Sequence, residues 1–473
     1  MIFLLTKEIK QELINIVDSE NFDDSKVGRL VYSYDATPQF QSMPDAVIAP
    51  RNKDEVSKIV KICNEHRIPI VPRGSGTNLC AGTCPTEGGV VLLFKHLNSI
   101  LEIDKENLTV TVQPGVITLD MIHAVEAKGL FYPPDPSSMK ISTIGGNINE
   151  NSGGLRGLKY GVTRDYVLAL EVVLPNGEMI RTGGKLAKDV AGYDLTRLIV
   201  GSEGTLGIVT EATLKLIPIP DSKMTMLALY QDLEAAAKTV SKIIANRIIP
   251  TTLEFLDQPT LKVVEAHAQI GLPTDVKAVL LIEQDGPKEV VKRDMEKMAN
   301  ICEQEHAVSV KIASSEEEAN NLRTARRSAL SALARLKPTT ILEDATVPRS
   351  EIAKMVIAIN EIAEKYQLNI CTFGHAGDGN LHPTCLTDVR NHEEIERVEK
   401  AFKEIFVKAI ELGGTITGEH GVGVMKAPYL ELKLGRAGIA AMKAIKDSLD
   451  PNNIMNPGKV FANNSRKRVM VTK

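Results

Sequence analysis

Hydrophobic positions follow two different spacings along this chain. In segment 393–412 five apolar side chains recur at helical spacing, and Gly413 and Gly414 end the pattern; they are Ile395, Val398, Phe402, Ile405 and Ala409. Run 167–174 is apolar except at Glu171, and the Asn-Gly pair that follows at 176–177 is typical of a hairpin turn. The pattern therefore predicts a mixture of helices and strands.

In the first half of the chain, the residue pattern predicts a helix near 54–66, a strand at Ile70-Val71 and an amphipathic helix that Thr118 caps. A strand over 207–217 ends where Pro218 and Pro220 interrupt it, because proline has no N–H for a strand ladder. We place a domain boundary there.

After this boundary, short strands and helices alternate, as a layered α/β or α+β domain requires. The predicted strands are 224–230, 251–256, 277–284 and 307–313, and the predicted helices are 232–246, 258–268, 287–304, 316–336, 349–366 and 393–412.

Composition narrows the class of protein. The 473 residues are enough for two or three domains, and 43% hydrophobic with 25% charged residues is ordinary for a globular chain. A net charge of −4 without a basic stripe argues against nucleic-acid partners. The apolar start, Met1 to Leu5, is too short for a signal peptide or a membrane span, so we expect a cytoplasmic protein with no integral membrane segment. The six cysteines have no iron–sulfur spacing, so another group must carry any electrons.

Glycine is concentrated between 143 and 207, where 13 of 65 residues are glycine against 34 of 473 in the whole chain. Neither a G-x-G-x-x-G fingerprint nor a Walker loop is complete, which disfavours NAD(P) and P-loop nucleotides. Two separate loops remain, 72–78 (PRGSGTN) and 142–147 (STIGGN). Each loop is expected to aim backbone N–H groups at a pyrophosphate. Glycine, which has no side chain, lets the pyrophosphate approach the backbone closely.

These loops, with 133–138 (PPDPSS) and 201–207 (GSEGTLG), resemble the FAD-binding domain of the vanillyl-alcohol-oxidase superfamily, in order and across about residues 30–220. The resemblance implies FAD, bound noncovalently because the first loop contains no attachment histidine. The implied FAD-binding residues are Pro72, Arg73, Gly74, Ser75, Gly76, Thr77, Asn78, Pro134, Asp135, Ser138, Thr143, Gly145, Gly146, Asn147, Asn151, Gly154, Glu203, Gly204, Ile208 and Asn456.

Three histidines lie in two glycine-rich segments that each contain one acidic residue, 375–382 (HAGDGNLH) and 418–423 (GEHGVG). A glycine-rich reversal after the strand-like run 370–373 would bring His375 and His382 together. With Glu419 they form a ligand set suited to a divalent metal, Zn, Fe or Mn, and His420 would then be the base.

Both segments resemble the C-terminal domain of the FAD-linked 2-hydroxyacid dehydrogenases, which include D-lactate dehydrogenase, the FAD subunit of glycolate oxidase and D-2-hydroxyglutarate dehydrogenase. The resemblance implies that Arg326 pairs with the substrate carboxylate, although Arg323 stands where the family pattern has Trp, and Arg327 competes for the role. Segment 341–344 lacks the lysine of the hydroxyglutarate enzymes, which favours a substrate with one carboxylate.

The resemblance implies an α+β fold: a PCMH-type, two-subdomain FAD-binding domain over 1–220, an α/β substrate (cap) domain with ferredoxin-like elements over 221–415, and a C-terminal segment, 416–473, that returns to the FAD domain. It further implies oxidation of a small 2-hydroxy acid, D-lactate to pyruvate first, by hydride transfer to flavin N5. Glycolate and D-2-hydroxyglutarate are alternative substrates.

An external electron acceptor is also implied, either electron-transfer flavoprotein subunits or an iron–sulfur subunit. Two other classes of protein stay open at this point. One is a metal-dependent hydrolase without flavin, and the other is a noncatalytic electron-relay flavoprotein.

Overall fold

The computed structural model describes residues 5–461, which fold as two compact units. Within the described residues the first unit contains 5–152, 162–219 and 419–461, and the second contains 153–161 and 220–418. The short segment 153–161 thus interrupts the first unit and packs in the second. The functional roles assigned to the domains stay predictions.

The first unit contains two main sheets. A four-stranded sheet has the order Phe22–Asp23, Ala46–Ile48, Val90–Leu93, Ile70–Arg73, and its last three strands are parallel. A five-stranded antiparallel sheet has the order Ile100–Asp104, Thr109–Val112, Ile208–Lys215, Val167–Val173, Met179–Gly183. The strands before and after the Asn-Gly turn pair Val173 with Met179, which confirms the predicted hairpin.

Helices of the first unit pack apolar faces on these sheets. Helix Lys53–Glu65 buries Val56, Ile59, Val60 and Cys63 in a core shared with the four-stranded sheet, as its helical spacing requires. The other helices are Lys7–Val17, Lys26–Val31, Thr118–Glu126, Ile144–Glu150, Leu195–Ile199 and Leu430–Leu449. The last of these is interrupted at Gly435, whose φ of 66° is not helical.

The second unit is built on one eight-stranded antiparallel sheet. Its main path runs Ser309–Ile312, Ser222–Tyr230, Ala278–Gly286, Thr252–Asp257, Ile370–His375, Asn380–Thr387, Thr339–Leu342, and Ala345–Thr346 also pairs with Asn380–Thr387. The first four stand in the spatial order fourth, first, third, second, which is the arrangement of a ferredoxin-like unit. The predicted ferredoxin-like elements are therefore present.

Seven α-helices of five or more residues belong to this second unit: Leu233–Ala245, Gln258–Ala268, Lys288–Gln304, Glu316–Arg327, Ala329–Leu333, Ile352–Tyr366 and His392–Glu411. Helix His392–Glu411 buries the whole predicted apolar stripe. Most predicted elements of this unit agree with the structure to within three residues, because their two periodicities are local properties of the chain.

Three elements differ from their predictions. Thr118 is the first helical residue rather than the cap, and its hydroxyl bonds Ser142 and Asn147. The strand predicted to reach residue 217 ends at Lys215, and Pro218 lies opposite Leu130 in a separate two-residue pair. Such a short edge pair does not need the N–H that proline lacks.

The third difference is the helix predicted over 316–336, which breaks at Ser328 into two helices. Among the described residues, no helix is long and apolar enough to cross a membrane. Residues 1–4 of the apolar N-terminal segment lie outside the described part of the chain.

Candidate functional site

A cleft of about 540 Å³, partly open to solvent, lies in the first unit beside both glycine loops. Ten of the residues proposed for FAD line it: Pro72, Arg73, Gly74, Thr143, Gly145, Gly146, Glu203, Gly204, Ile208 and Asn456. The other lining residues were missed by the sequence reasoning; they are Gly82, Thr83, Phe94, Pro114, Asn149, Glu150, Gly207 and Val209.

The first loop leaves its backbone donors unused. Among the described residues, no acceptor is bonded to the N–H groups of residues 74–78. The Arg73 side chain is 7% exposed and donates to the Tyr34 carbonyl and to the Thr83 hydroxyl. A Cβ added at Gly76, where φ is 72°, would lie 2.3 Å from Arg73 Nη2. Arg73 therefore supports the loop from inside, and the loop N–H groups can meet an anion.

The second loop uses its donors within the protein, against expectation. The Gly145 N–H donates to the Pro114 carbonyl at 2.8 Å, and the Gly146 N–H donates to the Thr143 hydroxyl at 3.2 Å. Ile144 likewise donates to the Val116 carbonyl. The prediction that this loop aims successive N–H groups at a pyrophosphate is therefore wrong, because helix capping and loop packing have already used them.

The second loop instead lets a ligand come close to its backbone. A Cβ added at Gly145 would lie 2.6 Å from the Pro114 side chain, so Gly145 faces protein. A Cβ added at Gly146 would meet only Thr143 Oγ1, at 3.3 Å, so Gly146 faces the cleft. This glycine keeps the cleft wall free of side chain where a bound cofactor would pass.

Asn456 shows that the cleft fits a polar ligand. Its Nδ2 donates to the carbonyls of Gly82 and Glu203, at 2.9 Å and 2.7 Å. Its Oδ1 is buried and has no hydrogen-bond partner among the described residues. A buried oxygen without a hydrogen-bond partner destabilises a protein by about 1–3 kcal/mol. A donor on a bound cofactor would remove that penalty.

Several residues proposed for FAD do not line the cleft. The Asn147 amide is turned to the Thr118 hydroxyl at 2.8 Å, the Ser75 hydroxyl donates to the Ile141 carbonyl, and Asn151 Oδ1 accepts the Arg164 N–H. Gly154 belongs to the second unit. The remaining residues off the lining are Gly76, Thr77, Asn78, Pro134, Asp135 and Ser138.

In the second unit a hairpin brings two histidines together, as the sequence predicted. Strands Ile370–His375 and Asn380–Thr387 pair Phe373 with His382. The ring centroids of His375 and His382 are 5.1 Å apart. Gly379, with a φ of 85°, completes the reversal in a conformation that favours glycine.

Each histidine of this hairpin is held by a buried carboxylate that the sequence reasoning did not identify. His375 Nδ1 is 2.6 Å from Glu254 Oε1, and His382 Nδ1 is 3.1 Å from Asp344 Oδ1. Both carboxylates have no solvent exposure. The signal available for Glu254 was an acidic residue in the middle of a strand-like run. Such pairs fix the ring orientation and tautomer of a metal-binding histidine.

Arg326 joins the same cluster. Its Nη2 lies 2.5 Å from Glu254 Oε2, its guanidinium stacks over the Phe373 ring at 4.8 Å, and it is 4% exposed. Burial favours the neutral form of Glu254, but the charge of Arg326 and the contact with His375 outweigh it and hold the pKa of Glu254 below its ordinary value. Glu254 thus connects Arg326 to His375.

The neighbouring arginines differ from Arg326. Arg323, which replaces the family Trp, pairs with Glu283 and with Glu316. Arg327 is only half-buried. Arg326 shares the Glu254 carboxylate with His375.

Glu419 and His420 are described in the first unit, where His420 Nε2 lies 3.8 Å from Glu419 Oε1 and both side chains are mostly buried. The residue before them, Gly418, belongs to the second unit and donates its N–H to Asp344 Oδ2 at 3.0 Å. Consecutive Cα atoms are about 3.8 Å apart. Glu419 thus follows directly, along the chain, the residue that donates to Asp344.

The glycine-lined cleft of the first unit and the buried Arg–His cluster of the second are the features expected of an FAD-dependent oxidoreductase with a PCMH-type fold. Models of two domains match the chain: the FAD binding domain over 44–183 and the C-terminal domain of FAD linked oxidases over 219–460. The protein belongs to the FAD-linked oxidase family.

Relatives agree with this assignment, and solved structures share the fold. The glycolate oxidase subunit GlcD of Bacillus subtilis (strain 168) is 77% identical over 467 residues, 99% of both chains. A D-lactate dehydrogenase of Anaerostipes hadrus is 36% identical over 466 residues, 96% of both chains. A p-cresol methylhydroxylase has the same fold, with a TM-score of 0.79, 18% identity and 97% of both chains covered. For 4-ethylphenol oxidase of Gulosibacter chungangensis the TM-score is 0.78, with 20% identity and the same coverage.

These matches confirm the predicted fold class and its PCMH-type FAD-binding architecture. They also remove the hydrolase without flavin from consideration, because both matched domain models are those of FAD proteins.

Proposed function

We propose that this protein oxidises a small 2-hydroxy acid, with glycolate as the first candidate and D-lactate as the second. The observation that carries the proposal is the buried cluster in which Arg326, Glu254 and His375 meet. In this cluster the Arg326 guanidinium can bind a carboxylate, and the His375 imidazole can bind a metal or accept a proton. The 77% identical relative, named a glycolate oxidase subunit, supports placing glycolate before the D-lactate that the sequence put first.

Arg326 would bind the substrate carboxylate. One edge of its guanidinium is engaged by Glu254, while its Nε is buried without a hydrogen-bond partner among the described residues. A guanidinium has five N–H donors, so it can hold Glu254 and still orient a ligand. The buried carboxylate of Asp344, which holds His382, disfavours a second carboxylate on the substrate.

FAD would be held without a covalent bond. The backbone N–H groups of residues 74–78 would face its diphosphate, Gly146 would give it room, and Asn456 Oδ1 would accept a hydrogen bond from it. When bound, FAD supplies the two-electron acceptor for the reaction.

A divalent metal, Zn, Fe or Mn, would be held by His375, His382 and Glu419. The chemistry of the donors fits, because both Nδ1 atoms are fixed by carboxylates and a metal would be taken through Nε2. When bound, such an ion lowers the pKa of an oxygen it contacts. His420 would take the hydroxyl proton at an imidazole nitrogen, as a general base does near neutral pH.

The electrons would leave to an external acceptor, electron-transfer flavoprotein subunits or an iron–sulfur subunit. The sequence contains no iron–sulfur cysteine spacing of its own, and the Bacillus subtilis relative is named a subunit. A cytoplasmic location is part of this proposal.

Anaerobic titration tests the proposed function. Purified protein loaded with FAD is mixed with glycolate, D-lactate, L-lactate or D-2-hydroxyglutarate, and flavin absorbance is followed. We expect glycolate to bleach the flavin, with D-lactate second and D-2-hydroxyglutarate much slower. A flavin that none of the four acids reduces would contradict the proposal and favour a noncatalytic electron-relay flavoprotein.

Replacing Glu254 by Gln is expected to weaken metal binding by about 10–100-fold, the usual effect of losing a carboxylate behind a metal-binding histidine. The reason is that Gln removes the charge that holds both His375 and Arg326. Metal content and affinity, measured on the purified variant, check this.

Glu283→Gln is the matched control, since Glu283 is also a buried acid of this unit paired with an arginine, Arg323. It should leave metal affinity within about threefold of the wild type. Equal metal affinity in Glu254→Gln and the wild type would exclude His375 as a ligand that depends on Glu254.

Acid precipitation is expected to release all of the FAD into the supernatant. The physical reason is that loop 72–78 contains neither histidine nor cysteine to form a bond to the flavin. Absorbance of the supernatant and the washed pellet measures the partition, and yellow flavin retained in the pellet would mean covalent attachment.

A further inference from the structure

Helix Ile144–Glu150 ends on an acidic side chain that no part of the proposed reaction uses. Glu150 lines the FAD cleft and is half-buried. Its carboxyl oxygens lie 3.7 Å and 3.8 Å from Cys80 Sγ. Among the described residues this thiol is its only hydrogen-bond neighbour. A thiol is a weak donor, so the Glu150 carboxyl is only weakly supplied with hydrogen bonds by the protein.

A second acid lies beside it. Oxygens of Glu150 and Glu203, together with Cys80 Sγ, lie within 4.8 Å of one another. Glu203 Oε1 accepts the Val422 N–H at 2.7 Å, and Oε2 accepts the Gly423 N–H at 2.6 Å. Two backbone donors stabilise the ionised form of Glu203, whereas Glu150 has no such donor. Between two close carboxyl groups, the proton therefore belongs on Glu150.

The surroundings agree with this assignment. The pKa of Glu150 lies well above its ordinary value, first because of burial and then because of the negative charges of Glu203 and Asp35, with Lys426 opposing them. A protonated carboxyl carries an O–H donor. No acceptor within the described residues is bonded to it, and the side chain borders the cleft.

The position of Glu150 along the cleft indicates which part of FAD it would meet. It lies four residues after Gly146 on one helix, about 6 Å further along at 1.5 Å per residue. A Cβ added at Gly421 would lie 2.3 Å from Glu150 Oε2, and Gly421 directly follows His420. If His420 works at the reacting atoms, Glu150 lies on the flavin-ring side of the cleft rather than on the adenosine side.

We propose that Glu150 is a neutral carboxylic acid that donates its hydrogen bond to the flavin ring and thereby favours the reduced, more electron-rich flavin. This assignment rests on the proposed function only in taking His420 to mark the reacting end. Glu150 would act as a residue that tunes the cofactor rather than as the base.

The test compares the flavin reduction potential of wild-type protein, Glu150→Gln and Glu150→Leu, measured with FAD bound and without a hydroxy acid. Gln is neutral and keeps a donor, so its potential should stay near that of the wild type. Leu has no donor, so reduced flavin should bind about tenfold less tightly relative to oxidised flavin, a fall of about 30 mV for two electrons. Glu283→Gln, a buried acid that does not line the cleft, is the control.

Other outcomes overturn the proposal in distinct ways. A rise in potential in both variants would mean that Glu150 is ionised, and unchanged potentials in both would mean that it does not meet the flavin. An equal fall in both variants would assign the effect to packing. None of these potential measurements requires oxidation of a substrate. Failure of glycolate to reduce the wild-type flavin would therefore contradict the proposed function without affecting the proposal for Glu150.

A pH titration covers the case in which Glu150→Leu does not retain FAD. FAD affinity of the apoprotein is measured between pH 6 and 10 in a Cys80→Ala background, which removes the neighbouring thiol. The acid form should bind FAD better, so affinity should fall as Glu150 ionises with rising pH. Glu150→Gln should remove that fall, and identical profiles in the two proteins would overturn the proposal.

Discussion

Gly146→Val is expected to abolish FAD binding and, with it, all flavin-dependent activity, while leaving the apoprotein folded. Gly146 faces the cleft, and a Cβ there meets only the Thr143 hydroxyl at 3.3 Å. A branched side chain would therefore fill the space of the cofactor rather than displace protein. FAD content after purification and FAD affinity of the apoprotein measure the loss, and thermal unfolding of the apoprotein shows that the fold survives.

Two substitutions serve as controls for this prediction. Gly184→Val lies in the same unit but off the cleft lining, where a Cβ meets only the flexible Leu186 side chain at 3.4 Å, so FAD should be retained. Gly145→Val should instead destabilise the unit, because its Cβ would lie 2.6 Å from Pro114. Full FAD occupancy in Gly146→Val would remove this loop from the cofactor site.

His420→Ala is expected to slow flavin reduction by about 10²–10⁴-fold, the usual range for a positioned general base. FAD and metal content should remain unchanged, because in our proposal His420 holds neither. Stopped-flow reduction with glycolate and metal analysis on the same preparation check the prediction. Added imidazole should restore part of the rate, which a purely structural role would not allow.

His123→Ala is a suitable control, since His123 is exposed in helix Thr118–Glu126 and was assigned no function. Its reduction rate should match that of the wild type. Loss of metal in His420→Ala would place His420 among the ligands, and near-normal reduction would mean that another group accepts the proton.

The sequence by itself was enough to predict most elements of the second unit and to propose candidate reacting groups. Spacing of apolar residues located the helices and strands of the second unit, and turn chemistry located the hairpin that brings His375 and His382 within 5.1 Å between ring centroids. These features depend on neighbours a few residues apart. The family motifs added FAD, which the matched domain models support.

The partners of those groups were decided only by the tertiary structure. Glu254 is 121 residues from His375 in the sequence, and Glu203 is 219 residues from Val422. The N–H groups of Gly145 and Ile144 donate to Pro114 and Val116, 31 and 28 residues away, and Glu150 contacts Cys80, 70 residues away. Such contacts depend on which strands and loops pack together, and no local periodicity encodes that pairing. Sequence therefore determined the elements and the FAD family of the chain, and packing decided which carboxylate holds each histidine.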